Sequence, residues 1–286
     1  MKFPIRPLRG AWPRWMESRG ERFFRYDPGV ILDDDVTPRD FRRAMLSIHV
    51  GGTYKITHTG RHGFADDLLL RHVDLSSSHI VEMGASDGST SVDLIRRLGD
   101  GFRSFTISDK YVELTAAQVG SRIVLFDHDD HCVMVIGGRM VAWPEMSSTV
   151  HALYTRTIRA ARSRPRTAVP LLNPDARAIV RDDPRVTFRA HDIFERWAGD
   201  APDLVRAANV LRKLYFDDQQ LLVALAAIHS SLAPGGHFQV IEHHRVALDI
   251  PPRTGLYRAT PQGYEIVEET EHRPEISDLV LALRPK

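Results

Sequence analysis

The stretch His79-Ile80-Val81-Glu82-Met83-Gly84-Ala85-Ser86-Asp87-Gly88-Ser89-Thr90 constrains the fold more than any other part of the chain. A short apolar run ends in an acid, turns through small residues and restarts with helical periodicity. Val92, Ile95 and Leu98 share one face, Leu94 and Leu98 a neighbouring one, and Gly99 marks a stop. The pattern predicts a buried strand, a tight turn and a helix whose free N–H groups point at whatever lies over the turn. Gly84 and Gly88 suit positions that need positive φ or that let a ligand press on the backbone. A strand–turn–helix without a ligand satisfies the same pattern. A dinucleotide cradle fits it less well, because that fingerprint is G-x-G-x-x-G and its third and sixth positions here are Ser86 and Ser89.

Composition narrows the class. The 286 residues are 43% hydrophobic and 26% charged, enough for one large α/β domain with additions or for two small ones. A net charge of +1 gives no global drive toward nucleic acid or membrane, and no nucleic-acid partner is expected. Cys132 is the single cysteine, so no internal disulfide forms and a reducing cytoplasm fits. Lys2, Arg6 and Arg9, broken by Pro4 and Pro7, leave the start without a secretory apolar core.

An acid two residues before a G-x-x-x-G turn resembles motif I of class I S-adenosylmethionine-dependent methyltransferases. The resemblance covers roughly residues 75–110 and 186–284. Within it V-x-F-R-x-H-D-I-F, D-L-V…N-V-L…Y-F and L-A-P-G-G look most like the chemotaxis protein-glutamate methyltransferases, whereas E-M-G-A-S-D-G departs from their usual motif I. It implies a seven-stranded, mostly parallel Rossmann-like sheet with an N-terminal helical cap and a β-hairpin/helix insertion after the second strand. The expected division is residues 1–74 as arm and lid, and 75–286 as the methyltransferase domain, with the insertion at about 112–185. The implied cofactor is S-adenosylmethionine and the implied product S-adenosylhomocysteine.

The same resemblance assigns cofactor contacts at successive strand ends. Glu82, Gly84, Ala85, Ser86 and Gly88 form the first. Asp109, after the alternating run Phe102 to Ser108, pairs with both ribose hydroxyls, with Lys110 flanking the adenine. His191, Asp192 and Ile193 follow the strand Val186 to Ala190 and meet the adenine amino group and a ring nitrogen. Asn209, at the exit of the fourth strand, faces the methionine end and the methyl acceptor. Such residues are also ordinary helix caps and turn formers; their order along the chain is what makes them specific.

The remaining segments give expectations about the acceptor. Thr37-Pro38-Arg39-Asp40 opens a helix with Phe41, Met45 and Ile48 on its apolar face. The glycine-bounded loop that follows carries Tyr54, His58 and His62, read as lid and substrate contacts. Arg122 to Phe126 and Cys132 to Trp143 read as strands around Asp127-His128-Asp129-Asp130-His131. That turn is rich in metal-ligand types, but no second cluster has matching spacing, so no metal is expected. A helix from Ser148 to Ser163 leads the arginines Arg156, Arg159, Arg162, Arg164 and Arg166, a face suited to an anionic membrane surface or an acidic partner. Asp217 with Gln220 forms a capping box before Leu221, Leu222, Leu225, Ile228 and Leu232. Tyr264 to Val267 and Leu279 to Leu283 are expected to be the last two strands.

Methyl transfer to a neutral alcohol, phenol or amine needs a base tuned near neutrality, usually histidine. His243 and His58 are the candidates, with His62 and His244 beside them as substrate contacts. Each of these is equally compatible with a structural or surface role. A small-molecule O- or N-methyltransferase is the leading expectation. A protein or carboxylate methyltransferase, which needs no base, and a non-catalytic cofactor-binding protein are the alternatives.

Overall fold

The computed structural model describes residues 3–51, 53–54, 60–243 and 250–285. Two compact units divide the chain: Met1–Thr57 with Tyr111–Pro174, and His58–Lys110 with Asp175–Lys286. The sequence division sets residues 1–74 apart as arm and lid. Helix α1 (Gly63–His72) goes with the mixed-sheet unit, while the N-terminal arm and the inserted segment share the other.

The mixed-sheet unit is built on seven strands: β1 (His79–Met83), β2 (Ser104–Asp109), β3 (Val186–Ala190), β4 (Leu204–Ala208), β5 (His237–Glu242), β6 (Arg253–Thr260) and β7 (Gly263–Glu269). Their order is β3-β2-β1-β4-β5-β6-β7. The first five run parallel, β6 pairs antiparallel with β5, and β7 closes a hairpin with β6. Strand order reverses between β1 and β4, the kind of switch point at whose carboxyl ends open α/β sheets bind ligands. Every residue of β1 is buried, as expected of a strand covered on both faces.

Helix α2 (Ser89–Leu98) starts at Gly88 (φ +74°), buries Val92, Leu94 and Ile95, and stops at Gly99 (φ +54°). Helix α3 (Pro174–Asp182) precedes β3. Helix α4 (Asp218–Ser231) carries the predicted box: Gln220 N–H donates to Asp217 Oδ1 (2.8 Å) and Asp217 N–H to Gln220 Oε1 (3.0 Å). Leu221, Leu225 and Ile228 bury its stripe, whereas Leu222 is half-buried.

One element differs in kind. Leu279 to Leu283, expected as a strand, lies mostly in helix α5 (Ser277–Ala282), and β6 takes the missing place in the sheet. The buried apolar residues are Ile276, Val280 and Leu283, spaced by four and three, so the helical period prevails over the Leu279/Leu281/Leu283 alternation. No helix joins β5 to β6 among the described residues.

The other unit is an antiparallel sheet in the order Ile5–Pro7, Met140–Ala142, Cys132–Ile136, Arg122–Phe126, Glu113–Val119, Thr167–Pro170. The expected hairpin is present, with a third strand after Gly137-Gly138. Helix Ser148–Arg162 packs Ile158 and Ala161 against Val124, Phe126 and Val135 on one face. On the other, helix Pro38–Met45, capped by Thr37, buries Phe41, Ala44 and Met45 beside Leu125 and Trp143. No described helix is long and apolar enough to cross a membrane.

Candidate functional site at the carboxyl edge of the mixed sheet

The turn after β1 holds three residues in the left-handed region: Gly84 (φ +72°), Ser86 (φ +59°) and Gly88 (φ +74°). Glycine is required at 84, because a Cβ there would lie 2.9 Å from Val210 Cβ, just beyond β4. The turn is pinned from both sides. Ala85 N–H donates to Ser108 C=O (2.9 Å), Ser86 N–H to Asp109 Oδ2 (2.9 Å) and Ser89 N–H to Asp87 Oδ1 (3.0 Å). The hydroxyls of Ser86 and Ser89 are buried without a hydrogen-bond partner among the described residues. Orphaned polar atoms at a helix N-terminus are what a polar ligand would complete.

Glu82 sits below the turn. Its buried carboxylate accepts from Ser91 Oγ (2.7 Å) and Thr90 Oγ1 (3.4 Å) and lies 3.8 Å from Arg206 Nη1. It therefore anchors the start of α2.

At the next two strand ends, Lys110 Nζ donates to Asp192 Oδ2 (2.8 Å), and Phe194 N–H donates to Asp192 Oδ1 (3.2 Å). Burial pushes the Asp192 carboxyl up, but the Lys110 and Phe194 hydrogen bonds together hold it below its usual range. His191 stands edge-on to Trp197 with ring centroids 4.9 Å apart. Its imidazole is depressed by burial and by Arg189, and its Nε2 has no described partner. Ile193 is buried in the core beneath.

Asn209 (φ +58°) and His243 close the edge at β4 and β5. Asn209 Oδ1 accepts from His243 N–H (2.7 Å), and its Nδ2 donates to His243 Nδ1 (3.1 Å). His243 Nε2 in turn donates to Arg61 C=O (2.7 Å), so these partners fix a neutral imidazole with the proton on Nε2. Burial first, then Arg61, Arg206 and Arg212, push its pKa down to about 4 against the Arg61 carbonyl contact. Both nitrogens are committed, which makes His243 as placed a brace for Asn209 and Arg61. His62 stacks on it, centroids 4.9 Å apart and planes 26° from parallel. It is 3% exposed, has no described partner at either nitrogen, and is held well below its normal pKa by burial and then Arg206. His58 and His244 lie outside the described residues. Tyr54 pairs through its backbone with His49 in the antiparallel unit.

Three features at this edge have no counterpart in the motif reading. Arg206 is mid-strand and fully buried, beside Glu82 on β1 and Gln239 on β5. It donates to Asp66 of α1, whose carboxyl burial raises to about 6 against the pull of Arg206. Glu242 is 1% exposed and accepts from Glu275 N–H (2.9 Å); burial raises its carboxyl to about 7. Arg212 Nη1 donates to His243 C=O (3.0 Å) and Nη2 to Glu275 Oε1 (3.2 Å). The available signal was a single charge inside an apolar strand, Leu204-Val205-Arg206-Ala207-Ala208.

Elsewhere, Asp127, Asp129 and His131 bring potential ligand atoms within 4.8 Å of one another. Asp127 Oδ1 accepts the N–H groups of Asp129 (3.0 Å) and His131 (2.9 Å), so that carboxylate already shapes its own turn. In the basic segment Arg162 (2.9 Å) and Arg166 (2.6 Å) pair with Asp130, leaving Arg156, Arg159 and Arg164 exposed.

No protein-family model and no curated protein matches the chain. Solved structures align over parts of it at low similarity. One is an apo S-adenosylmethionine-dependent methyltransferase, SibL: 17% identity, 63% of this chain, 36% of that one, TM-score 0.33. A second is CalS10, an amino pentose methyltransferase from Micromonospora echinaspora in its S-adenosylmethionine-bound form: 14% identity, 72% of this chain, 66% of that one, TM-score 0.34. A third is the N-methyltransferase NodS from Bradyrhizobium japonicum WM9: 14% identity, 64% of this chain, 69% of that one, TM-score 0.32. The chain spans less than two thirds of SibL and of CalS10. At these scores the likeness decides neither fold nor activity.

Proposed function

We propose that the mixed-sheet unit binds S-adenosylmethionine across the carboxyl ends of β1 to β4 and directs its methyl group to an oxygen or nitrogen of a small molecule. The observation that carries this reading is the turn from Gly84 to Gly88 at the point where strand order reverses, with two orphaned serine hydroxyls and polar residues at the three adjoining strand ends. The donor set fits a cofactor with a polar amino-acid end, a diol and a base, and without a pyrophosphate. When bound, S-adenosylmethionine supplies an electrophilic methyl carbon on a sulfonium. The turn and Asn209 would hold the amino-acid end, Asp109 the ribose, and Asp192 and Ile193 the adenine. Because the leaving group departs neutral, the protein's main task is alignment, which can contribute about 7–11 kcal/mol.

One observation favours a second acceptor class. Of the candidate histidines, neither of the two described is poised as a base near neutrality: His243 has both nitrogens filled, and His62 is buried and held well below its normal pKa. A carboxylate acceptor needs no base.

Binding tests the reading directly. S-adenosylhomocysteine raises the melting temperature and NAD does not; an equal response to NAD removes the assignment. Asp109→Ala weakens S-adenosylhomocysteine binding by about 1.5–3 kcal/mol in calorimetry if it carries a charge-assisted ribose contact. Wild-type affinity in that variant removes the ribose role. Labelled methyl recovered in small molecules, in protein or nowhere separates the acceptor classes.

A further inference from the structure

The ends of β4 and β5 hold an unbalanced group of cations. Arg61 is half-buried, and among the described residues its guanidinium makes neither a hydrogen bond nor an ion pair. Burial lowers its pKa, and the nearby Arg212 guanidinium lowers it further. His243 links the two arginines: its Nε2–H donates to the Arg61 carbonyl, and its own carbonyl accepts from Arg212 Nη1. His62 lies on that imidazole, 3% exposed, with both ring nitrogens unsatisfied among the described residues. The groups that set its charge state are Arg206 from β4, His243 after β5 and Arg61 beside it, and none is an acid.

Arg206 has Asp66 and Glu82, and Arg212 has Glu275; among the described residues Arg61 has no such partner. A half-buried guanidinium in the field of another cation, on the residue beside a buried imidazole with unused nitrogens, is costly as it stands. An oxyanion would accept two N–H bonds from the planar fork of Arg61 and one from His62, offsetting the desolvation already incurred.

We propose that Arg61 and His62, backed by Arg212, form a subsite for an oxyanion, carboxylate or phosphate ester, on the molecule that receives the methyl group. The subsite adjoins Asn209 through His243, at the edge proposed to hold the reacting end of the cofactor. The assignment to the acceptor rests on that reading. The anion site itself does not.

The test uses the whole chain carrying ring-labelled histidine, at neutral pH and constant ionic strength. Sodium phosphate and sodium malonate are titrated in turn while the ring resonances of His62 and of His72, at the far end of α1, are followed. Saturable movement of His62 with either anion and none at His72 is the expected result; the tighter anion identifies the source. Arg61→Gln weakens that binding about tenfold or more, and Arg61→Lys, which keeps the charge and loses the fork, weakens it less. If Arg61→Gln does not fold, the Arg61→Lys comparison and the wild-type titration carry the test. No saturable movement at His62, or unchanged affinity in both variants, overturns the proposal. S-adenosylhomocysteine is titrated in parallel: loss of that binding with the anion effect intact removes the cofactor reading, and the reverse removes the subsite.

Discussion

The two compact units bury different things. Among the described residues, the antiparallel unit buries only Ser47, His49 and Asn173 as polar side chains, and its core is aliphatic and aromatic. The mixed-sheet unit buries the charged or titratable Arg206, Asp66, Glu82, Glu242, Asp109, Asp87, His62, His79 and His243, most of them on or beside the middle and carboxyl ends of its central strands. Burying charge stabilises little even when paired, because desolvation roughly cancels the attraction. A unit that does so repeatedly in one place carries a cost that packing alone does not require, and ligand chemistry is the ordinary reason. By that measure the antiparallel unit reads as scaffold and the mixed-sheet unit as the working part.

The largest effect should come from breaking the buried row. Arg206→Met keeps length and apolar contact but leaves Glu82 without its cation and Asp66 with only Arg97, 3.7 Å away, which costs about 3–5 kcal/mol by chemical denaturation. Adding Asp66→Asn and Glu82→Gln to the same chain recovers much of that loss, since the uncompensated charges go with it. A loss below about 1 kcal/mol for Arg206→Met alone would show that the row is not electrostatically coupled and would erase the contrast between the units.

How much of this was legible in the sequence follows from range. The five parallel strands are short apolar or alternating runs with turn residues at their ends, and local pattern suffices for them. Glu113–Val119 and Thr167–Pro170 were missed: one is rich in Ala, Glu and Gln, the other is four residues ending in proline, and both are strands through tertiary pairing. Ile5–Pro7 tolerates its proline because it is an edge strand. At the site, Gly84, Asp109, Asp192 and Asn209 are visible as residue types at strand ends. Their occupation is not, because it depends on partners far along the chain. Asn209 meets His243 across 34 positions, and Arg206 meets Asp66 across 140. The expectation that His243 is a free base depended on a neighbour that local sequence does not reveal.

A smaller, pH-dependent effect sharpens the contrast from the acid side. Glu242 has its carboxyl raised from 4.5 to about 7, chiefly by burial. Between those values the folded chain holds a proton that the unfolded chain has released, so the stabilisation is complete below the lower value and is lost as pH rises through the upper one. Glu242→Gln removes that slope. Relative to wild type the variant should gain about 1–3 kcal/mol at about pH 8 and little at about pH 4.5, read from denaturation midpoints. His243, lowered to about 4, works in the opposite direction: its contribution is present above its ordinary value of 6.5 and lost as pH falls through about 4. A Glu242→Gln difference that is the same at both pH values would remove the buried acid from the comparison.

The smallest effect belongs to the antiparallel unit and completes the test. Asp130 receives Arg162 at 2.9 Å and Arg166 at 2.6 Å, geometry comparable to that of the buried row, but its side chain is 48% exposed. Asp130 also sits at φ +62°, a conformation asparagine tolerates, so Asp130→Asn deletes the charge without straining the turn. Water already solvates both partners and salt screens them, so the loss should be about 0.2–1 kcal/mol and should shrink further in high salt. A cost near that of Arg206→Met would mean that ion-pair geometry rather than burial sets the energetics. The two units would then differ in composition alone, and the argument that places function on the mixed sheet would lose its physical basis.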